Sequence, residues 1–175
     1  MESFGVVTEP RTVRLERLLP GPIERAWSYL TESEKRGKWL APGEWDLRVG
    51  GRVTLTFNNE NLSADKETPE KFKDTKGHQV VGQITRYEPP RLLAFAWTMQ
   101  PEPSEVTFEL TPKGAEVLLV LTHRRLPSRD VMVKVSTGWH SHVGVLISVL
   151  NNEAPRPFWK TFLALEQEYE KRIAP

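Results

Sequence analysis

The chain contains no cysteine, which excludes disulfide staples, thiolate nucleophiles and cysteine-ligated metal sites. It has no apolar run near the ~18 residues of a membrane span. It also lacks a dominant charge. The 24 Lys and Arg and 23 Asp and Glu leave a formal net charge of +1, with both signs interspersed, so no nucleic-acid surface is expected. The opening stretch MESFGVVTEPRT lacks the basic segment and apolar core of a secretory signal. The expectation is a cytoplasmic protein without nucleic-acid or membrane-inserted partners. Without secretion, the sequon Asn61-Leu62-Ser63 carries no meaning. The sequence has no GxSxG elbow, P-loop, GxGxxG or HExxH, so no catalytic motif can be assigned.

What is present is a run of period-two segments followed by a long amphipathic stretch. Thr12 to Leu19 alternates as a strand and ends at Pro20-Gly21-Pro22. Pro22 suits the first turn of a helix whose apolar face is Ile23, Ala26, Trp27 and Leu30. Thr31-Glu32-Ser33-Glu34 reads as a capping box opening a second short helix that ends near Gly37. Trp45, Leu47 and Val49 predict one strand and Val53, Leu55 and Phe57 the next, joined by a tight Gly50-Gly51 hairpin. Further strands are expected over 79–88, 91–98, 105–111 and 115–123. Leu93, Phe95 and Trp97 share one face of the 91–98 strand and Leu92, Ala94 and Ala96 the other, the pattern of a strand covered on both sides. Asn58 to Gly77 is polar, with only Leu62 and Phe72 as large apolar residues. Its composition favours a disordered segment, with a mobile lid as the alternative.

From about Ser136 to Leu150 the apolar positions Trp139, Val143, Leu146, Ile147 and Leu150 line one helical face. Asn151-Asn152, Pro155 and Pro157 interrupt it. A final helix to about Ile173 presents Phe158, Phe162, Leu165 and Tyr169. No repeat and no second composition zone marks a boundary, so one domain is expected over 1–175. A helix laid across a curved antiparallel sheet leaves room between the layers for a small molecule.

Four pieces of sequence resemble the START-like (SRPBCC) superfamily, and within it the family related to the activator of a heat-shock-protein ATPase. They are Pro22-Ile23-Glu24-Arg25-Ala26-Trp27, Lys38-Trp39-Leu40, Gly50-Gly51 and Gly138-Trp139. The resemblance implies an α+β helix-grip fold: a strand, two short helices, six strands and a long helix gripped by the curved sheet. Its core would span about 12–150, with 151–175 as a helical extension. Founding members of the family assist a chaperone ATPase, while relatives across the superfamily bind lipids, plant hormones or polyketides. The resemblance also raises Trp39, Phe57, Phe95, Trp97 and Trp139 as lining of an apolar cavity.

Among the four histidines, His140 and His142 lie about 200° apart on a helix and cannot grip one metal. His78 and His123 are distant in sequence. One helix histidine facing the cavity would donate a hydrogen bond to a ligand, and His142, three positions after Trp139, is the better placed. Ligand-binding candidates are therefore Trp39, Phe57, Phe95, Trp97, Trp139, His142 and Leu146, with Arg86, Arg124 or Arg125 to meet a polar head group. No catalytic residue, metal or cofactor is expected. The leading expectation is a binder of a hydrophobic small molecule. The alternatives are a cyclase/aromatase-like enzyme, and an interaction module contacting a chaperone or a second copy of the chain.

Overall fold

The computed structural model describes residues 3–98 and 101–175. Seven strands form one curved antiparallel sheet. They are β1 (Val6–Glu9), β2 (Thr12–Pro20), β3 (Arg52–Phe57), β4 (His78–Glu88), β5 (Leu92–Ala96), β6 (Glu105–Lys113) and β7 (Glu116–Arg124). Their spatial order is β1-β2-β7-β6-β5-β4-β3. The helices α1 (Ile23–Thr31) and α2 (Ser33–Arg36) connect β2 to β3, and α3 (Arg129–Leu150) and α4 (Phe158–Arg172) follow the last strand. This is the α+β helix-grip arrangement. Strand β5 lies inside the sheet and is buried along its whole length, as its two apolar faces require.

The sheet's inner face and α3 share one core, with Leu15, Leu19, Val53, Leu55, Phe95, Val106, Phe108 and Leu119 on the strands and Trp139, Val143, Leu146 and Leu150 on the helix. The expected helical face is therefore the sheet-facing one, although Ile147 is only half-buried. The helix starts a full turn and more before the expected Ser136. Ser128 caps it, its side chain accepting from the Val131 N–H. At the other end, Arg25 of α1 donates to the Leu150 carbonyl at 2.9 Å. Helix α4 packs on the far side of α3, which buries His140, Ser141 and Val145 as well.

Several local expectations are corrected. The capping box does not form. Thr31 Oγ1 donates back to the Trp27 carbonyl and closes α1, and Glu32 caps α2 without a side-chain bond. Trp45 to Val49 is not a strand. Only Trp45 bridges to Val53, while Leu47 and Val49 are exposed in an irregular turn. A short edge strand, β1, lies where none was expected. It has no buried residue, so it carries no hydrophobic alternation to read.

The 58–77 segment is not disordered. Two 3₁₀ turns, Asn59–Asn61 and Glu70–Thr75, punctuate it, and its two large apolar residues tie it down. Leu62 is buried in the main core. Phe72 stacks on Trp159 of α4 with ring centroids 4.7 Å apart and meets Phe162 edge-on. Ser63 Oγ accepts from the Phe158 N–H at 3.0 Å, and Lys71 pairs with Glu166. Composition alone undervalued the segment because the surface that orders it is contributed by α4. Phe72→Ala is expected to cost about 2 kcal/mol, less than a fully buried Phe. It should speed amide exchange over 58–77 while leaving β5 and β6 protected. Unchanged exchange would show that the Phe72 ring does not hold the strap.

Arg36 is fully buried without an anionic partner among the described residues. Its guanidinium donates to the carbonyls of Leu30, Thr31, Ala41 and Gly43 and lies 4.0 Å from the Trp45 ring centroid. Burial lowers its pKa to about 10, so it remains a cation at neutral pH. The planar fork gathers carbonyls from the end of α1 and the loop after α2, a geometry a lysine ammonium cannot reproduce. Arg36→Ala would orphan those carbonyls and is expected to cost about 3 kcal/mol or more, with Arg36→Lys recovering little. Urea unfolding of the two variants tests this, and near-wild-type stability of the lysine variant would count against it.

Candidate functional site

A cleft of about 190 Å³ opens between the sheet and the first half of α3. Leu40 and Phe57 wall it from one side, Trp97 and His123 from the strands, and Val135, Gly138, Trp139 and His142 from the helix, with Lys134 at its rim. Phe57 lies at the end of β3 and His123 near the end of β7. Trp97 follows β5, where the chain has left the ladder. The cleft thus forms where strand ends diverge from the helix crossing them. Phe57 and Trp97 lie 6.1 Å apart and Trp97 and Trp139 5.7 Å apart, centroid to centroid.

Four of the seven candidates, Phe57, Trp97, Trp139 and His142, come together at this cleft. Trp39, Phe95 and Leu146 do not line it. All three are fully buried, and they back the wall: Phe95 stacks behind Trp97 at 5.9 Å, and Trp39 meets Phe108 edge-on. Arg86, Arg124 and Arg125 are exposed elsewhere, paired with Glu88, Glu105 and the Pro103 carbonyl respectively. Among the described residues, the cation that lines the cleft is Lys134. His123, set aside on sequence distance, is part of the wall. Its pairing with a helix residue 16 positions later left no periodic signal.

The two cleft histidines are fixed in opposite tautomers. Trp139 Nε1–H donates to His123 Nδ1 at 3.1 Å. The proton of His123 is therefore on Nε2, which faces Ser104 Oγ at 2.8 Å. Both ring nitrogens are satisfied. His142 Nδ1 sits 2.8 Å from the Trp39 carbonyl, which can only accept, so Nδ1 carries the proton. His142 thus uses its N–H inside the protein. The expectation that it donates to a ligand is overturned, because its remaining nitrogen bears a lone pair.

Burial lowers the pKa of His123 to about 3. It lowers that of His142 to about 4, with the Trp39 carbonyl opposing the fall by favouring the charged ring. Both rings are neutral at physiological pH. Among the described residues no His, Asp and Glu side chains cluster to hold a metal ion, and no helix is long and apolar enough to cross a membrane.

Residues 20–151 match the model of the family described as activator of Hsp90 ATPase homolog 1-like protein. The chain belongs to this family. No curated protein matches the sequence. Among solved structures, the family member is similar to a Bordetella parapertussis protein studied by solution NMR, at 41% identity and a TM-score of 0.84, with 99% of this chain and 92% of that one covered. It is also similar in fold to DynU16, a protein of the dynemicin biosynthetic locus, at 18% identity and a TM-score of 0.64, covering 85% of this chain and 50% of that one. The Aha1 dimer from Colwellia psychrerythraea matches at 17% identity and a TM-score of 0.62, covering 79% and 95%.

The neutral histidines make stability depend on pH. Each has a folded pKa below the unfolded value of about 6.5, so the unfolded chain binds more protons between the two. Their contribution is complete above pH 6.5 and is lost as the pH falls towards 4 and 3. From pH 7 to pH 4 the expected loss is about 3 kcal/mol for each histidine. Urea titrations at both pH values, with His142→Gln as control, measure it. Equal stability at the two values would mean that the rings charge within the fold.

Proposed function

We propose that this protein binds a small aromatic or lipid-like molecule in the cleft between sheet and long helix, without performing chemistry on it. The observation that carries this reading is Gly138. It lies inside α3, where glycine costs about 1 kcal/mol against alanine. A Cβ built there meets nothing within 4 Å. The missing side chain is not needed for packing, and its absence leaves the aromatic-walled cleft open. Phe57, Trp97, Trp139 and His142 are the proposed contact residues, with Trp39, Phe95 and Leu146 supporting them from behind.

The size of the cleft bounds the ligand. An apolar cavity of about 150 Å³ takes up benzene, and whole drug-sized ligands need about 300 Å³ or more. About 190 Å³ therefore suits one or two fused rings, or the end of a longer chain whose remainder stays outside. Such a fragment and the wall it covers remove roughly 400 Å² of apolar surface from water, about 10 kcal/mol. Lost freedom takes back at least about 4 kcal/mol. The net of at most about 6 kcal/mol corresponds to a Kd of about 40 µM or weaker.

Membership of the family supports a second reading, contact with a chaperone ATPase. Leu47 and Val49, exposed on the turn before β3, are the apolar pair such a contact would bury. The two readings separate experimentally. Naphthalene-sized aromatics and medium-chain fatty acids at about 100 µM are expected to change tryptophan emission and raise the Tm. Trp97→Ala should weaken binding about tenfold or more, while its half-buried side chain costs less in stability than a core Trp. Gly138→Leu should abolish binding while keeping or raising the Tm. No response to any ligand, together with stimulation of a chaperone ATPase, would replace the small-molecule reading with the second.

A further inference from the structure

We infer that the molecule held in this cleft carries a hydrogen-bond donor on its apolar frame, a phenol or other hydroxylated ring, and that its O–H donates to His142 Nε2. The inference rests on the binding role proposed for the cleft and names its ligand class.

The argument begins with the tautomer. The Trp39 carbonyl, 2.8 Å from Nδ1, can only accept, so the single proton of the neutral ring sits on Nδ1 and Nε2 is left as an acceptor. Nε2 has no hydrogen-bond partner among the described residues. The residue is only 6% exposed, yet Nε2 is not among the buried unpartnered atoms. It keeps access to solvent, and a ligand that covers it without a donor incurs a cost of about 1–3 kcal/mol. His142 lines the cleft with Leu40, Phe57, Trp97, Val135 and Trp139. Of these only Trp97, through its indole N–H, carries a donor without a hydrogen-bond partner among the described residues. The Trp139 indole N–H is spent on His123. The second histidine of the wall is saturated at both nitrogens. The cleft therefore offers a ligand aromatic faces, the unpartnered acceptor of His142 and the indole donor of Trp97, both on residues of its wall. A phenol hydroxyl can give to the first and accept from the second.

This pairing discriminates among ligands of equal shape. A neutral phenol fills the apolar volume and gives its proton to the waiting lone pair. A hydrocarbon of the same outline leaves Nε2 unmet. A carboxylate sets its own lone pairs against that of Nε2, the Trp97 indole N–H serves a carboxylate and a phenol oxygen alike, and Lys134 at the exposed rim is screened by solvent. The expected order is phenol, then hydrocarbon, then carboxylate.

The test compares 2-naphthol, naphthalene and 2-naphthoate at pH 7 by titration calorimetry and tryptophan emission. Wild-type protein should bind 2-naphthol about five- to tenfold more tightly than naphthalene, the ratio of one net hydrogen bond. His142→Leu should remove that preference without abolishing naphthalene binding. The imidazole ¹⁵N spectrum of wild-type protein gives a readout that needs no variant. The Nε2 resonance should shift on adding 2-naphthol and stay in place with naphthalene. Equal affinities for 2-naphthol and naphthalene, or an unmoved Nε2 resonance, would overturn the inference and leave the cleft reading standing. Tightest binding of 2-naphthoate would also overturn it, in favour of anion capture by Lys134. If none of the three binds, the cleft reading itself fails and the inference with it.

Discussion

The buried hydrogen bond from the Trp139 indole to His123 Nδ1 joins the long helix to the sheet, and much of the site follows from it. It fixes the phase of α3, because the indole ring must lie against Phe108 and Trp97, which it meets edge-on at 5.7 Å each. It fixes the His123 tautomer and, with Ser104 on the other nitrogen, removes that histidine from any exchange with a ligand. With Trp139 anchored, residue 138 lines the cleft and residue 142, about one turn on, reaches the loop after α2, where the Trp39 carbonyl accepts a hydrogen bond from His142 Nδ1–H. The acceptor left in the cleft is therefore a consequence of how the helix is docked.

Two other constraints hold the frame around that contact. Arg36 gathers carbonyls of the α1–α2 region around one buried cation, which sets the course of the loop bearing Trp39 and Leu40. On the opposite side, α4 covers the outer face of α3. Tyr169 is the centre of that contact, with its hydroxyl between His140 Nδ1 and the Gly5 N–H at 2.8 Å each. The helix is thus clamped on two sides, and the open side is the stretch around Gly138. A glycine is tolerated there because packing elsewhere holds the helix.

The helices and most strands were legible because their apolar residues repeat at 3.6 or 2 positions. Trp139, Val143, Leu146 and Leu150 face the sheet as their spacing required. The errors fall where a distant partner decides the structure. The 58–77 strap carries too little apolar surface to order itself, and its order comes from Trp159 and Phe158 of α4. Trp45 to Val49 alternates like a strand, but it is an irregular turn with a single bridge to Val53. Of the cleft's lining, Phe57, Trp97, Trp139 and His142 were named from the family resemblance and the helical spacing. His123 and Lys134 were not, since neither lies in a pattern that distinguishes it from an ordinary strand or surface residue.

The helix-grip fold was what the chain's resemblance to the START-like superfamily implied. By itself the sequence determined the elements, short strands followed by a long amphipathic helix, without cysteine chemistry, excess charge or a catalytic motif and with enough tryptophan to line an apolar recess. Local periodicity and composition suffice for that, because each element advertises which of its faces must leave water. Only the tertiary structure decided which aromatics meet at the recess and which are sealed behind it, as Trp97 and Phe95 divide between the two. It also decided the polarity of His142. Whether a neutral imidazole gives or takes a hydrogen bond depends on which nitrogen is already engaged, and that partner is a backbone carbonyl 103 positions away in the chain.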